Sequence, residues 1–239
     1  MNNIQPNWTA PLNIFAFTTT RVDGFSEGPY NSNNLGFHVG DNPKHVAQNR
    51  EMLSANLPAE PEWIEQTHST NCIVIEDTAE RNADAAITRS PDRVLAILTA
   101  DCLPILLCNR QGTEVAAIHA GWRGLVNGII EKTSLQIKSN KADLLAWIGP
   151  SICGSCYEVG DDVYEQYKNN YPFSTNFFKS HQQKWLANMP ELAEQILREI
   201  GVSEVYQSNL CTYEHKNHLY SYRREGQTGR IATLIWFTK

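Results

Sequence analysis

The 239-residue sequence has little basic charge and no long apolar run. Its 20 lysines and arginines are outnumbered by 26 aspartates and glutamates, which gives a formal net charge of −6. Such a balance provides no basic footprint for duplex nucleic acid or for an anionic lipid surface. No stretch approaches the ~18 apolar residues that a membrane-spanning helix requires. We therefore expect neither a nucleic-acid partner nor a membrane.

A basic leader, repeats and a disulfide framework are also missing. The opening stretch "MNNIQPNWTAPLNIFAFTTTR" has no basic residue before its apolar part, which Asn13 interrupts, so it is typical of neither a signal peptide nor an anchor. A cytoplasmic location is the expectation, and it favours thiols or metal ligands over disulfides for the six cysteines. With 41% hydrophobic and 19% charged residues and no linker, residues 1–239 are predicted to form a single domain.

Short apolar runs alternate with helical patterns along the chain. Runs of aliphatic and β-branched residues predict strands at 94–99, 103–108, 115–119 and 143–150, and in the tail "GRIATLIWF". Apolar residues at helical spacing predict a helix after "GWRG" and another from Pro190 to Gly201. A third predicted helix has Asp161 as its cap and ends before Pro172. This alternation predicts an α/β fold.

The stretch "ILTADCLPILLCNRQGTEVAAIHAGWRGL" places Cys102 and His119 at the ends of predicted strands. Such positions are held by the sheet yet face the crevice where α/β folds bind ligands. His68 precedes another strand-like run, at 72–75. Two imidazoles and one thiolate are ligands that zinc prefers, and they leave a fourth position for water or substrate. These three residues are candidate metal ligands and catalytic residues, although an isolated histidine is more often structural.

Five longer motifs resemble one known family. In chain order from Thr18 to Phe237 they are "TTTRVDGFSEGPYNSNNLGFHVGD", "LTADCLPILL", "AIHAGWRGL", "WIGPSICGSCYEVG" and "SYRREGQTGRIATLIW". The chain is similar to the bacterial laccase-domain proteins, once described as multicopper polyphenol oxidases and now as zinc-dependent purine nucleoside phosphorylases with adenosine deaminase activity. The resemblance implies an α/β/β/α sandwich with mixed sheets. It also implies metal ligands at His68, Cys102 and His119, the residues selected above.

Four polar residues near these motifs have two interpretations each. Arg21 and Arg123 are candidate phosphate ligands, since guanidinium presents a planar fork of donors, but each could instead form an ordinary salt bridge. His38 in "GFHVGD" contacts substrate or supports its loop. Asp101 orients a ligand imidazole or caps a turn. In addition, Asp23 replaces the first glycine of the family pattern "TTRxGGxS", which puts the geometry of that loop in question.

Cys153 and Cys156 form a CxxC pair that suggests half of a zinc knuckle or a redox pair. The sequence has no second CxxC, and the neighbouring proline and glycine predict a loop and no thioredoxin-like helix, so two incidental thiols near a pocket are the preferred interpretation. His215 and His218 are expected to be exposed.

Four functions follow from these features. The family resemblance implies a zinc enzyme that uses phosphate to cleave adenosine, inosine or methylthioadenosine and that deaminates adenosine. It also implies an alternative, a hydrolase that removes misplaced serine from UDP-muramyl peptidoglycan precursors. A copper oxidase is a further possibility, because a His2Cys set can bind blue copper. However, no methionine lies near a ligand motif to act as the axial ligand, and the sequence has no HxH pair of the kind that a multicopper cluster uses. A purely structural ion would need a fourth protein ligand. The cytidine-deaminase signature is absent, and the nucleoside enzyme is our prediction.

Overall fold

The structure, a computed structural model, describes residues 3–239. Its strands are β1 (Ile14–Thr18), β2 (Glu62–Trp63), β3 (Cys72–Val74), β4 (Ala85–Thr88), β5 (Leu95–Thr99), β6 (Leu103–Asn109), β7 (Val115–Ala120), β8 (Leu144–Ile148), β9 (Glu158–Val159), β10 (Phe178–His181), β11 (Lys184–Ala187), β12 (Glu204–Gln207) and β13 (Ile231–Phe237). Its α-helices are α1 (Pro43–Ser54), α2 (Trp122–Val126), α3 (Ile129–Gln136), α4 (Asp161–Asn170), α5 (Met189–Glu199) and α6 (Tyr222–Glu225). Within this described part of the chain, no helix has both the length and the apolar character needed to cross a bilayer.

The strands form three sheets. A four-stranded sheet has the order β1-β13-β5-β2, a six-stranded sheet has the order β12-β8-β6-β7-β4-β3, and β10, β11 and β9 form a small third sheet. The two larger sheets are mixed, because each combines antiparallel pairs with parallel pairs such as β2–β5 and β12–β8. The predicted mixed α/β class is confirmed.

Alternating side chains along the strands build a four-layer core. Leu95 of β5 packs in one buried cluster with Leu106 of the six-stranded sheet. The next residue, Ala96, faces the other way and packs with Leu53 of α1. On the far side of the six-stranded sheet, Ile105 packs in a cluster with residues of α2, α3, α4 and α5. Helices therefore cover the outer faces of two sheets that pack together, which is the expected α/β/β/α sandwich.

The predicted strands and helices are present, with two differences in detail. The helix predicted after "GWRG" is divided into α2 and α3, because Gly128 adopts a left-handed φ of 84° between them. Asp161 does not cap α4, whose N-cap residue is Gly160. Instead, Asp161 is the first helical residue, and its carboxylate accepts a hydrogen bond from the Trp185 indole at 2.7 Å.

The loop around Asp23 keeps the geometry that a glycine would favour. Asp23 has a φ of 64°, in the left-handed region that Asp and Asn tolerate better than most non-glycine residues. Gly24 follows, and a Cβ there would lie 2.4 Å from the carbonyl oxygen of Ser32. The same carbonyl accepts a hydrogen bond from the amide of Ser26 at 2.7 Å. The turn is thus closed by neighbouring contacts even though Asp23 departs from the family pattern.

Candidate metal centre

His68, Cys102 and His119, which are far apart in sequence, come together at the ends of the central strands β6 and β7 of the six-stranded sheet. Their potential ligand atoms all lie within 4.8 Å of one another. Cys102 Sγ is 3.9 Å from His68 Nε2, and the centroids of the two imidazole rings are 4.8 Å apart. The fold therefore assembles the three-residue set that the sequence singled out.

Strand pairing places two of these residues side by side. Cys102 lies in the short turn between β5 and β6, and His119 is in β7, where it pairs with Pro104 of β6. His68 comes from the loop between β2 and β3 and adopts a left-handed φ of 59°, which is uncommon for a residue with a side chain. An unusual backbone conformation of this kind persists only where neighbouring contacts hold it.

Asp84 provides those contacts. This buried residue precedes β4, and its carboxylate accepts hydrogen bonds from the backbone amides of His68 at 3.1 Å and Ser69 at 2.6 Å. The hydroxyl of Ser69 also donates to it, at 2.7 Å. Oδ1, the oxygen that accepts from the His68 amide, also lies 2.7 Å from Nδ1 of His119. A proton on Nδ1 leaves Nε2 of His119 as the nitrogen available to a metal.

The close charges shift three pKa values. Burial raises the pKa of the Asp84 carboxyl, but hydrogen bonds from His119 and Ser69 outweigh it and lower the value to about 2. For Cys102, burial is likewise outweighed, by the charges and hydrogen bonds of His119 and His68, so its pKa falls to about 6. Burial lowers the pKa of His119, yet the Cys102 thiolate and Asp84 raise it to about 9. Cys102 is thus a thiolate at neutral pH, which is the form that binds metals.

Space for an ion is preserved beside the cluster by Gly121. A Cβ at this position would lie 2.7 Å from Cδ2 of His68 and 3.2 Å from Sγ of Cys102. The donor set of two imidazoles and one thiolate is borderline soft and suits zinc. Within residues 3–239 the set contains these three side chains, so a tetrahedral ion would keep one position free for a water or a substrate atom.

Cationic side chains lie close to the cluster. His38 as a whole is exposed, but its ring is partly covered, and this partial burial is the largest cause of its lowered pKa. The charges of Arg230 and Arg50 lower the pKa further, with smaller contributions from His119 and His68. Arg230 donates hydrogen bonds to two carbonyl oxygens, at 2.9 and 3.1 Å. Burial lowers the pKa of Arg230. Among the negative charges that raise this pKa, the Cys102 thiolate has the largest effect. Arg230 was not selected from the sequence.

The two arginines that the sequence selected have different surroundings. Arg123 is exposed in α2, with its guanidinium 4.3 Å from the centre of the Trp122 ring. Among the described residues, no salt bridge includes Arg123. Arg21 pairs with Glu225 at 2.8 Å and donates from Nε to the carbonyl oxygen of Asn31 at 3.0 Å. Arg21 therefore supports its loop, whereas the guanidinium of Arg123 has no carboxylate partner among the described residues.

Asp101 has a different role from Asp84. Its Oδ1 accepts a hydrogen bond from the Thr212 hydroxyl at 2.6 Å, and its Oδ2 accepts one from the backbone amide of Arg223 at 2.7 Å. Asp101 thus joins the loop after β12 and the start of α6 to the turn that contains Cys102. Orientation of a ligand imidazole, one of the two roles expected for Asp101, is performed by Asp84. In the sequence, Asp84 is recognisable only as a carboxylate directly before a buried strand.

Cys153 and Cys156 lie in a loop, as predicted, but they are not isolated thiols. Cys211 and Glu214 lie against them, and the potential ligand atoms of all four side chains are within 4.8 Å of one another. Cys211 and Glu214 have the spacing Cys-x-x-Glu, so the absence of a second CxxC in the sequence gave no indication of this pair. His215 and His218 are exposed, as expected.

Comparison with known proteins places the chain in a family. Residues 15–238 match the family described as multi-copper polyphenol oxidoreductase laccase. The chain belongs to this family. The purine nucleoside phosphorylase YfiH of Escherichia coli is 44% identical over 237 residues, which cover 98% of each chain. A purine nucleoside phosphorylase of Haemophilus influenzae is 43% identical, over 99% of this chain and 100% of that one.

Solved structures of family members have the same fold. The crystal structure of a Neisseria meningitidis protein, 40% identical, matches with a TM-score of 0.95 over 100% of both chains. The hypothetical protein YfiH of Bacillus licheniformis, 30% identical, matches with a TM-score of 0.87 over 94% of this chain and 93% of that one. Both the family resemblance and the fold expected from the motifs are confirmed.

Proposed function

We propose that this chain is a cytoplasmic, zinc-dependent purine nucleoside phosphorylase that acts on adenosine, inosine and methylthioadenosine and also deaminates adenosine. The observation that carries the proposal is the cluster of His68, Cys102 and His119, with three donor side chains beside a space that Gly121 keeps free. Relatives covering nearly the whole chain are named purine nucleoside phosphorylases, which supports the same activity here.

Zinc is proposed over copper because of the side chains present. A bound zinc ion polarises oxygen atoms as a Lewis acid and lowers the pKa of a coordinated water. A copper electron-transfer site of the His2Cys type uses a weak axial ligand such as methionine. In residues 3–239, Met52 lies in α1 and Met189 is buried at the start of α5, and neither adjoins a ligand motif in the sequence. Among those residues, no cluster contains the several histidines that a multicopper centre requires.

Phosphorolysis requires that a phosphate dianion attack C1′ while the bond to the purine breaks and the departing base takes up a proton. The dianion needs cationic donors, and guanidinium groups match its oxygens two at a time. We assign this role first to Arg123, which has no carboxylate partner among the described residues, and we add Arg230, whose positive charge interacts with the Cys102 thiolate. Arg21 remains a candidate whose guanidinium would bind phosphate beside Glu225.

Deamination replaces the amino group at C6 of adenosine with water oxygen and releases ammonia, so it requires a proton carrier. His38 is our candidate for this role and for contact with the nucleoside. Burial and neighbouring cations lower its pKa below the ordinary value, so its imidazole is neutral at pH 7 and can accept a proton or a hydrogen bond. The three proposed metal ligands are not available for that task.

A second candidate function has one specific observation in its favour. Cys102, His119 and Asp84 follow one another as thiolate, imidazole and carboxylate, the order found in cysteine hydrolases. Without a metal, such an array suits amide hydrolysis, for example removal of serine from a UDP-muramyl precursor. The two functions differ in what chelation does: it abolishes the first and leaves the second.

A substrate panel tests the proposal. The zinc-loaded protein is incubated with adenosine, inosine, methylthioadenosine and a UDP-muramyl-serine precursor, each with and without phosphate. We expect free base and a sugar 1-phosphate only when phosphate is present, and inosine from adenosine without it. Cys102→Ala serves as the inactive control. Turnover of the muramyl precursor alone, or turnover that persists after chelation, would contradict the assignment.

A further inference from the structure

The second cluster, formed by Cys153, Cys156, Cys211 and Glu214, has no part in the proposed reaction. We propose that these four side chains bind a second zinc ion, with a structural role. Their potential ligand atoms all lie within 4.8 Å of one another, although two come from the loop after β8 and two from the loop after β12. The proposal depends on this cluster alone and stands apart from the chemistry at Cys102.

The number and kind of donors favour a closed zinc site. Structural zinc ions have four protein ligands in a tetrahedron and are rich in cysteine, whereas catalytic ions keep a position open. With Zn–S bonds of about 2.3 Å, neighbouring ligand atoms in a tetrahedron are ~3.8 Å apart. Cys156 Sγ lies 3.7 Å from Oε1 of Glu214. Because all four ligand atoms lie within 4.8 Å of one another, small side-chain movements would bring them to tetrahedral spacing.

Both loops present their ligands from tight turns. The amide of Cys156 donates to the carbonyl oxygen of Cys153 at 3.1 Å, which closes the CxxC turn and directs both sulfurs to one side. The partner turn has the spacing Cys-x-x-Glu, from Cys211 to Glu214. Between the turns, the amide of Cys153 donates to Sγ of Cys211 at 3.4 Å. A hydrogen bond from an amide to sulfur favours the thiolate, the form that a metal requires.

A shared cation explains why three thiols are held together in a partly buried place. Cys211 is buried, and Cys153 and Cys156 are half-buried. Three thiolates at this spacing repel one another unless a cation lies between them. A disulfide would join only two of the sulfurs. It would give no reason for the third thiol and the carboxylate of Glu214 to lie beside them, whereas a metal ion would bind all four side chains.

The second ion would also support the turn that contains Cys102. Ile152 precedes the first ligand, and its amide donates to the carbonyl oxygen of Asp101 at 3.0 Å. Thr212 follows the third ligand, and its hydroxyl donates to the carboxylate of Asp101 at 2.6 Å. By joining these two loops, the ion would hold both donors on the residue that precedes Cys102. The four ligands are therefore positioning residues for the turn, with no direct part in catalysis.

Metal analysis of the full-length protein, purified without chelator, tests the proposal. We expect about two zinc ions per chain in the wild type, about one in Cys102→Ala, and about one in the double variant Cys153→Ser/Cys156→Ser. The matched control is Cys72→Ser, which removes a half-buried cysteine outside both clusters and should retain about two. Loss of all zinc from Cys102→Ala would overturn the second site and leave the first intact.

Two further measurements keep the result interpretable if the double variant does not fold. Glu214→Gln changes an exposed ligand, so it should fold and release its second ion at a chelator concentration ~10–100-fold lower than the wild type does. Unchanged retention would contradict the site. Mass spectrometry of the native protein should show Cys153, Cys156 and Cys211 protected from alkylation until a chelator is added. A disulfide between any two of them in the native protein would overturn the proposal.

Discussion

Nδ1 of His119 lies 2.7 Å from Oδ1 of Asp84, and the same carboxylate accepts hydrogen bonds from the backbone amides of His68 and Ser69. One buried side chain thus determines the tautomer of one histidine and the backbone conformation of the other. Because both histidines depend on it, the geometry of the whole candidate metal centre depends on a residue that touches no metal.

Replacing Asp84 with asparagine should weaken zinc binding at the first centre. Asparagine keeps only one acceptor oxygen, so either His119 and the His68 amide lose the acceptor at Oδ1, or the amide and hydroxyl of Ser69 lose the acceptor at Oδ2. Removing such outer partners typically costs ~10–100-fold in metal affinity. Competition with a chromophoric chelator measures the change. Asp77→Asn, at an exposed turn residue after β3, should leave the affinity unaltered, and equal affinities in both variants would contradict the role of Asp84.

Cys102 should be alkylated readily in the metal-free protein and slowly in the zinc-loaded one. Its pKa of about 6 means that the thiolate, the reactive form, is present above that pH and disappears below it. The alkylation rate of the apo protein should therefore rise through pH 6 and level off by pH 8, as mass spectrometry of the labelled protein can show. Cys108 is an internal control, since burial raises its pKa to about 12.

The opposite result at Cys102 would change the assignment. If zinc failed to protect the thiol, or if a thioester accumulated on it during turnover, Cys102 would be a nucleophile. The cysteine hydrolase would then replace the zinc enzyme as the preferred function.

Changing Arg123 or Arg21 to methionine should raise the KM for phosphate more than the KM for the nucleoside. A lost charge-assisted hydrogen bond costs about 1.5–3 kcal/mol, so we expect roughly a tenfold increase or more. Arg21→Met should also lower the Tm, because Glu225 loses one of its two arginine partners and the Asn31 carbonyl loses a donor, whereas Arg123→Met should not. Arg93→Met, at an exposed arginine that pairs with Glu62, is the control. Unchanged phosphate dependence in both test variants would remove these residues from the phosphate site.

Replacing Gly121 with alanine should reduce zinc occupancy while the fold is retained. The new methyl group would lie 2.7 Å from Cδ2 of His68, so that ring must move away from Cys102. Gly160→Ala is the matched control, because its methyl group would meet only the flexible carboxylate of Asp162 at 2.6 Å. Zinc content and circular dichroism of both variants give the comparison. Full occupancy in Gly121→Ala would show that the ion does not need this space.

The buried strands β5–β8 and β13 and the three candidate metal ligands could be predicted from sequence because their signals are local, whereas β1, β2, β4 and β9–β12 were not predicted. A strand such as β6 is buried along its whole length and appears as a continuous apolar run. Cys102 and His119 adjoin such runs within long motifs. Asp84 could not be found in this way, because its partners are two backbone amides, the Ser69 hydroxyl and the His119 ring, which lie next to it only in the folded chain. Cys211 and Glu214 were missed because only the folded chain brings them to the CxxC.

Sheet order could not be predicted for a related reason. Nothing in the "GRIATLIWF" pattern indicates that β13 lies between β1 and β5. The pairing joins Ile14 to Phe237 and Ile231 to Thr99, contacts between segments that are distant along the chain.

The central place of β13 has a consequence for synthesis on the ribosome. It is the last strand of the described chain to be made, while β1 and β5, the strands on either side of it, are made early. At ~5–20 residues per second, translation leaves the edge of β5 without its partner for on the order of ten seconds. An apolar strand with an unpaired edge can pair with other chains during that interval. The nascent protein therefore has a defined period of aggregation risk, which ends when residue 237 leaves the exit tunnel.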